Sequence, residues 1–175
     1  IVSSMLDTNA IISYPPKFWP SGGSLDNYTE VLKMQGGAYL RWMLNSVFVA
    51  GSNTVLVVLV ASMAGYAFAK RRFPGSKVLF NVVVATQIIP SVTTLIPLFL
   101  IVSKLGWVNT YKSLVFPGVA SAFGVYMMTQ FMKDIPDSLI EAAKIDGCSN
   151  YGTFFKIVLP ITVPQLSLLA IFNFT

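Results

Sequence analysis

The charges divide the chain, because four long stretches carry none: residues 42–69, 78–103, 113–132 and 157–175. A charged side chain at mid-bilayer costs on the order of 3 kcal/mol on insertion scales, so membrane spans are purged of them. A helix needs about 20 apolar residues to cross a hydrocarbon core roughly 30 Å thick, and each stretch is long enough or nearly so. The pattern predicts an all-α, polytopic transmembrane helical bundle with four spans. The two longer stretches must tilt, kink or extend into the headgroups. In the second, Pro90 and Pro97 remove backbone donors and are expected to kink the helix. Thr86 and Gln87, one turn before Pro90, place polar groups where hydrocarbon would penalise them. They are expected to face protein or a water-filled translocation path, interhelical hydrogen bonding being the commoner use. Ala61, Gly65 and Ala69 repeat at four-residue spacing and put small residues on one helix face, for ordinary helix packing or for a subunit interface.

The segments between the spans set orientation. Lys70, Arg71, Arg72 and Lys77 crowd one short loop, the densest basic cluster, so that loop is expected on the cytoplasmic side. Alternation then places 103–112 outside and 133–156 in the cytoplasm. Residues 1–42 read as an extracytoplasmic segment. It carries the aromatic and proline stretch Tyr14-Pro15-Pro16-Lys17-Phe18-Trp19-Pro20, the turn-forming Ser21-Gly22-Gly23-Ser24, and a short helix around 27–35. The membrane-embedded part is then 43–175. The chain starts at Ile1 without an initiator methionine and stops inside an apolar stretch, so it is expected to be a fragment.

Composition agrees with this reading: 54% of residues are hydrophobic, 11% charged, and the mean hydropathy is +0.68. The net charge of +5 does not point to nucleic acid, because the basic residues concentrate in a loop between apolar runs. With no histidine and one cysteine, Cys148, neither a zinc site nor a Cys/His nucleophile pair nor an internal disulfide is expected. No catalytic residue, cofactor or metal ligand is assigned. The spans carry no Asp, Glu, His, Lys or Arg, which weighs against a membrane-embedded enzyme and a proton-coupled secondary transporter. Sodium coupling through backbone carbonyls is left open by that argument. No G-x-x-x-x-G-K-[ST] loop occurs, so ATP hydrolysis is not expected in this chain.

The stretch between the third and fourth spans, about 134–159, is more than a connector. It reads as two short helices. Ser138 and Glu141 have capping-box spacing, although Asp134 with Pro136 offers an earlier start. Asp146-Gly147 provides a left-handed stop, and Ser149 or Asn150 a cap for the second helix. Leu139, Ile140, Ala143, Phe154, Phe155 and Ile157 make it too apolar for a free loop, so it lies in the membrane interface or docks into a groove on another protein.

Glu141-Ala142-Ala143, Gly147, Ile157 and Leu159-Pro160, in this register, resemble the complete EAA loop of binding-protein-dependent ABC importer permeases. The likeness extends upstream to Tyr14-Pro15-Pro16-Lys17, Asn27-Tyr28, Arg41-Trp42-Met43-Leu44-Asn45-Ser46, Ala85-Thr86-Gln87-Ile88-Ile89-Pro90 and Ile135-Pro136, which are similar to the maltose-type, carbohydrate-importing branch. The resemblance implies a multi-pass subunit of about six spans in a bacterial or archaeal cytoplasmic membrane, with one span missing at each end. It also implies a coupling helix seated in a cleft of an ATPase subunit, with Gly147 permitting the turn, Glu141 capping the helix or pairing with a cation, Ala142 and Ala143 allowing close approach, and Pro160 breaking the helix where the loop re-enters the membrane. The implied partners are two cytoplasmic ATP-binding subunits holding ATP and Mg, a second permease subunit, and an extracytoplasmic solute-binding protein. A sugar or sugar derivative is the implied cargo; the alternatives are a non-carbohydrate solute or an ion-coupled secondary transporter.

Overall fold

A computed structural model describes residues 2–5, 14, 24–33, 36–71 and 73–175. The aromatic and proline stretch after Tyr14, the Ser21-Gly22-Gly23 turn and Arg72 lie outside the described residues. Those described form helices and connecting turns, with no strand among them. The chain divides into two compact units, residues 1–48 and 49–175.

In the first unit, helix α1 (Asp26–Lys33) covers most of the expected 27–35 helix. The Asn27 amide donates to the carbonyl of Ser4 at 2.9 Å, and Ser24 N–H to that of Met5 at 3.1 Å, tying the 3-10 turn Val2–Met5 to the start of α1.

The second unit takes in most of helix α2 (Ala38–Lys70), which begins in the first. Among the described residues α2 is the one continuous helix long and apolar enough to cross a membrane; there are up to four spans if each of three bent helix pairs counts as one. The first pair is α3 (Ser76–Ala85, extended by a 3-10 turn to Ile88) and α4 (Ser91–Lys104), bent by 102°. Its cause is local. Ile89 is extended, at φ −75 and ψ 118, because the ring of Pro90 disfavours helical backbone in the residue before it. Pro90 thus ends one helix and precedes another, a stronger effect than the expected kink, whereas α4 runs through Pro97 without interruption. The second pair, α5 (Tyr111–Val115, with a 3-10 turn to Gly118) and α6 (Ala122–Lys133), is bent by 41°. There Ser121 Oγ accepts from Gly124 N–H at 3.0 Å, an N-cap that starts α6 afresh.

Helices α2 and α6 meet where the small-residue stripe predicts a close approach. A Cβ on Gly65 would stand 2.7 Å from Met128 Cβ and 3.0 Å from both Met128 C and Thr129 N. From the other side, a Cβ on Gly124 would stand 3.1 Å from that of Ala61. The stripe serves packing within this chain.

The third pair is α10 (Val163–Phe174) and the helical segment Asn150–Ile161 before it, bent by 77°. Asn173 on α10 donates to Asn53 Oδ1 at 2.9 Å, while Asn53 donates to the carbonyl of Val115 at 2.7 Å. This amide pair joins α2, α5 and α10 by hydrogen bonds between otherwise apolar helices, where polar groups act as glue.

Candidate functional site

The stretch 134–159 folds as expected into two short helices, α7 (Asp137–Ile145) and α8 (Asn150–Thr153). Its start differs from the capping-box expectation. Pro136 occupies the N-cap position with no side-chain cap, and Ser138 is already inside the first turn. Asp137 stands in that turn, where a carboxylate complements the helix dipole. The end follows the sequence closely. Gly147 has φ +76, its N–H donates to the Lys144 carbonyl at 3.0 Å, and Cys148 N–H donates to that of Ala143 at 2.9 Å, the pair of bonds of a Schellman motif. Ser149 Oγ then caps α8, accepting from Gly152 N–H at 3.1 Å.

The next turn, Phe154–Val158, is a π-helical widening in which Leu159 N–H reaches back five residues to the carbonyl of Phe154. A proline ring clashes with the carbonyl four residues before it, and the widening lies directly before Pro160. Pro160 itself does not break the helix: helix α9 (Leu159–Ile161) runs through it. The bend falls at Thr162, just ahead of Pro164, which lacks a donor in the first turn of α10. The expectation for Pro160 is corrected accordingly.

The EAA residues do not share one face. Glu141 and Ala142 are exposed, as is Ile145 at 87% of its surface, while Ala143 is buried with Ile140 on the opposite side of α7. Gly147 and Pro160 are exposed; Ile157 and Leu159 are half-buried. Ile135, Ile140, Phe154 and Val158 belong to the same hydrophobic core as Ala61 and Tyr66 of α2, Met128 and Met132 of α6, and Leu169 of α10. The Tyr66 and Phe154 rings lie 5.3 Å apart. Part of the loop's apolar content therefore serves its own chain, and Leu139, Ile145, Tyr151 and Phe155 remain on the outside.

Two basic residues from the end of α2 brace this loop. Lys70, with only 5% of its side chain exposed, donates to the Lys133 carbonyl at 3.2 Å, to that of Ile135, and to Asp137 Oδ1 at 2.7 Å. Arg71 donates to Asn150 Oδ1 at the start of α8. In the sequence the basic cluster signals orientation alone, although Lys70 directly follows Ala69, the last residue of the small-residue stripe. Thr86 and Gln87 are not brought to this loop: both are exposed, and Thr86 Oγ1 donates to the Val83 carbonyl at 2.6 Å, one turn back.

Gly147→Ala should speed amide exchange at Cys148 by roughly 5- to 30-fold, since left-handed backbone costs an L-residue about 1–2 kcal/mol, whereas Gly147→Asn should give a smaller change. No atom stands within 4 Å of a Cβ there, so backbone conformation alone is tested. Equal exchange in all three proteins would show that the turn needs no left-handed residue.

The chain is 38% identical over 154 residues to the arabinooligosaccharides transport system permease protein of Halalkalibacterium halodurans, covering 88% of this chain and 55% of that one. It is 37% identical over 167 residues to the alpha-glucoside transport system permease protein of Rhizobium meliloti, covering 91% and 42%. It is 32% identical over 179 aligned positions to the diacetylchitobiose uptake system permease protein of Streptomyces coelicolor, covering 99% and 57%. The chain spans about half the length of the curated relatives it matches. Across residues 57–175, which contain the α2–α6 contact, the braced loop and α10, it matches the binding-protein-dependent transport system inner membrane component, and the chain belongs to that family.

Proposed function

We propose that this chain is part of the translocation subunit of an ATP-driven importer for a sugar or sugar derivative, a multi-pass protein of the cytoplasmic membrane. The observation that carries the reading is the two-sided loop. One face of α7 is rooted in the core through Ile140 and Ala143, and the other offers Glu141, Ala142 and Ile145 to a partner. Such a helix suits the groove of a cytoplasmic ATP-binding subunit, which would hold ATP and Mg. Gly147 sets the turn at its end, and Ile157, Leu159 and Pro160 lead the chain back to α10. Force applied to the outer face would reach α2, α6 and α10 through one core, which favours movement of the helices as a body over bending of a tether.

The cargo class rests on relatives named for arabinooligosaccharides, alpha-glucosides and diacetylchitobiose. A second permease subunit and an extracytoplasmic solute-binding protein complete the proposed assembly. Thr86 and Gln87, beside the 102° bend, are the candidates for its translocation path.

Thiol cross-linking of the full-length subunit in native membranes tests the coupling face. With Cys148→Ser as background, Ile145→Cys should form an adduct with an ATP-binding protein and resist impermeant thiol reagents added from outside. Labelling from the external face alone would overturn the orientation. Solute transport by the reconstituted subunit without any ATPase would overturn the importer reading.

A further inference from the structure

A cleft of about 970 Å3 opens where the end of α2, the start of α3, the end of α6 and one flank of α7 converge. Its apolar wall includes Phe68, Phe73 and Phe80, with Phe68 centred 6.0 Å from Phe73 and 5.5 Å from Phe80. Its polar wall has an uneven charge balance. Lys70 and Asp137 cancel in their ion pair. The remaining charges are the cations of Arg71, Lys77, Lys133 and Lys144 against the single carboxylate of Glu141, so four minus one leaves an excess of three positive charges. Arg71 is held by the uncharged amide of Asn150, and Lys133 lies 5.4 Å from the centre of the Phe80 ring. Among the described residues no carboxylate stands within ion-pair distance of Lys77 or Lys144.

The cleft also lies at a particular depth. The uncharged run of α2 ends at Ala69, so Lys70 marks where that helix leaves hydrocarbon for the headgroup layer. An aromatic wall, an unbalanced set of cations and headgroup depth together specify an amphipathic anion. We propose that this cleft binds an anionic phospholipid, its phosphodiester against Lys77 and Lys144 and its glycerol and first acyl carbons against the phenylalanines. Basic pockets between membrane helices suit such headgroups. The proposal rests on placement in the membrane and not on the importer reading.

The test is lipid retention, which requires no transport. The full-length protein, in its assembled complex, would be taken from nanodiscs holding equal phosphatidylglycerol and phosphatidylcholine, and its retained lipids identified by native mass spectrometry. The wild type should retain phosphatidylglycerol preferentially. Lys77→Gln with Lys144→Gln should weaken retention roughly 25-fold, since each basic residue near an anionic surface contributes on the order of fivefold. Lys112→Gln, outside the cleft, should leave it unchanged. Equal retention of the two lipids by the wild type, or unchanged phosphatidylglycerol in the double variant, overturns the proposal. Displacement by millimolar inorganic phosphate would assign the site to a soluble phosphate instead. Retention by the isolated subunit but not by the complex would assign it to an acidic segment of a partner; either result overturns the lipid assignment.

Discussion

Lys70→Met is expected to loosen the 134–159 loop from the rest of the chain while leaving the longer helices assembled. The substitution keeps an unbranched stem of similar girth and removes the donors. The carbonyls of Lys133 and Ile135 then lose their charged partner, and Asp137, with 72% of its side chain exposed, loses its contact with the Lys70 ammonium. Hydrogen bonds to a charged group contribute about 1.5–3 kcal/mol each at most, so a local loss of about 2–4 kcal/mol is expected once water recovers part of it. Amide exchange across Asp137–Ile145 should accelerate by at least about 30-fold. Under the proposed function, ATP hydrolysis should continue while solute uptake per ATP falls by about tenfold. Lys70→Arg should restore part of that ratio, because a guanidinium can donate to a carboxylate and to carbonyls at once. Unchanged exchange in Lys70→Met would mean that the core alone holds the loop. A proportional fall in hydrolysis and uptake would indicate lost folding and not lost coupling.

The contrast between Lys70 and Gly147 explains which parts of the site were legible in the sequence. The Gly147 turn and the Ser149 cap depend on residues within a few positions of one another, and local rules located both. The helix break at Pro90 is local in the same sense, although its 102° angle depends on what surrounds it. Lys70 to Asp137 spans 67 positions, Arg71 to Asn150 spans 79, and Asn173 to Asn53 spans 120. No periodicity links such pairs, and a cluster of lysine and arginine announces a membrane face without naming the carbonyls it will meet. The adjacent alanines fall between these cases. Ala142 and Ala143 are alike as residues, but successive positions on a helix lie 100° apart, so one faces outward and the other enters the core. Local reasoning also misplaced the break attributed to Pro160, because a widened turn, which no spacing rule anticipates, absorbed its ring.

Gly65→Ala and Gly51→Ala should change stability in opposite directions, although both glycines lie in α2. Helix propensity alone favours alanine over glycine by about 1 kcal/mol in a helix interior. At Gly51 a new Cβ meets nothing within 4 Å, so propensity should prevail and the protein should be slightly more stable. At Gly65 the new methyl would stand 2.7 Å from Met128 Cβ and 3.0 Å from two backbone atoms of α6. Rotation of the Met128 side chain moves none of these, so the two helices must separate. Overpacking of this kind costs about 1–3 kcal/mol and outweighs the propensity gain. Separation would also open the core contacts of Met128 and Met132, which are fully buried, and through them those of Ile135 and Ile140 at the base of the loop. Thermal unfolding of the full-length protein in detergent should therefore show a lower midpoint for Gly65→Ala and a slightly higher one for Gly51→Ala. A larger side chain, as in Gly65→Leu, should prevent recovery of folded protein. If Gly65→Ala instead raised the midpoint, α2 and α6 would not be in contact at this position, and the core that joins the membrane helices to the loop would have to be rebuilt from a different packing.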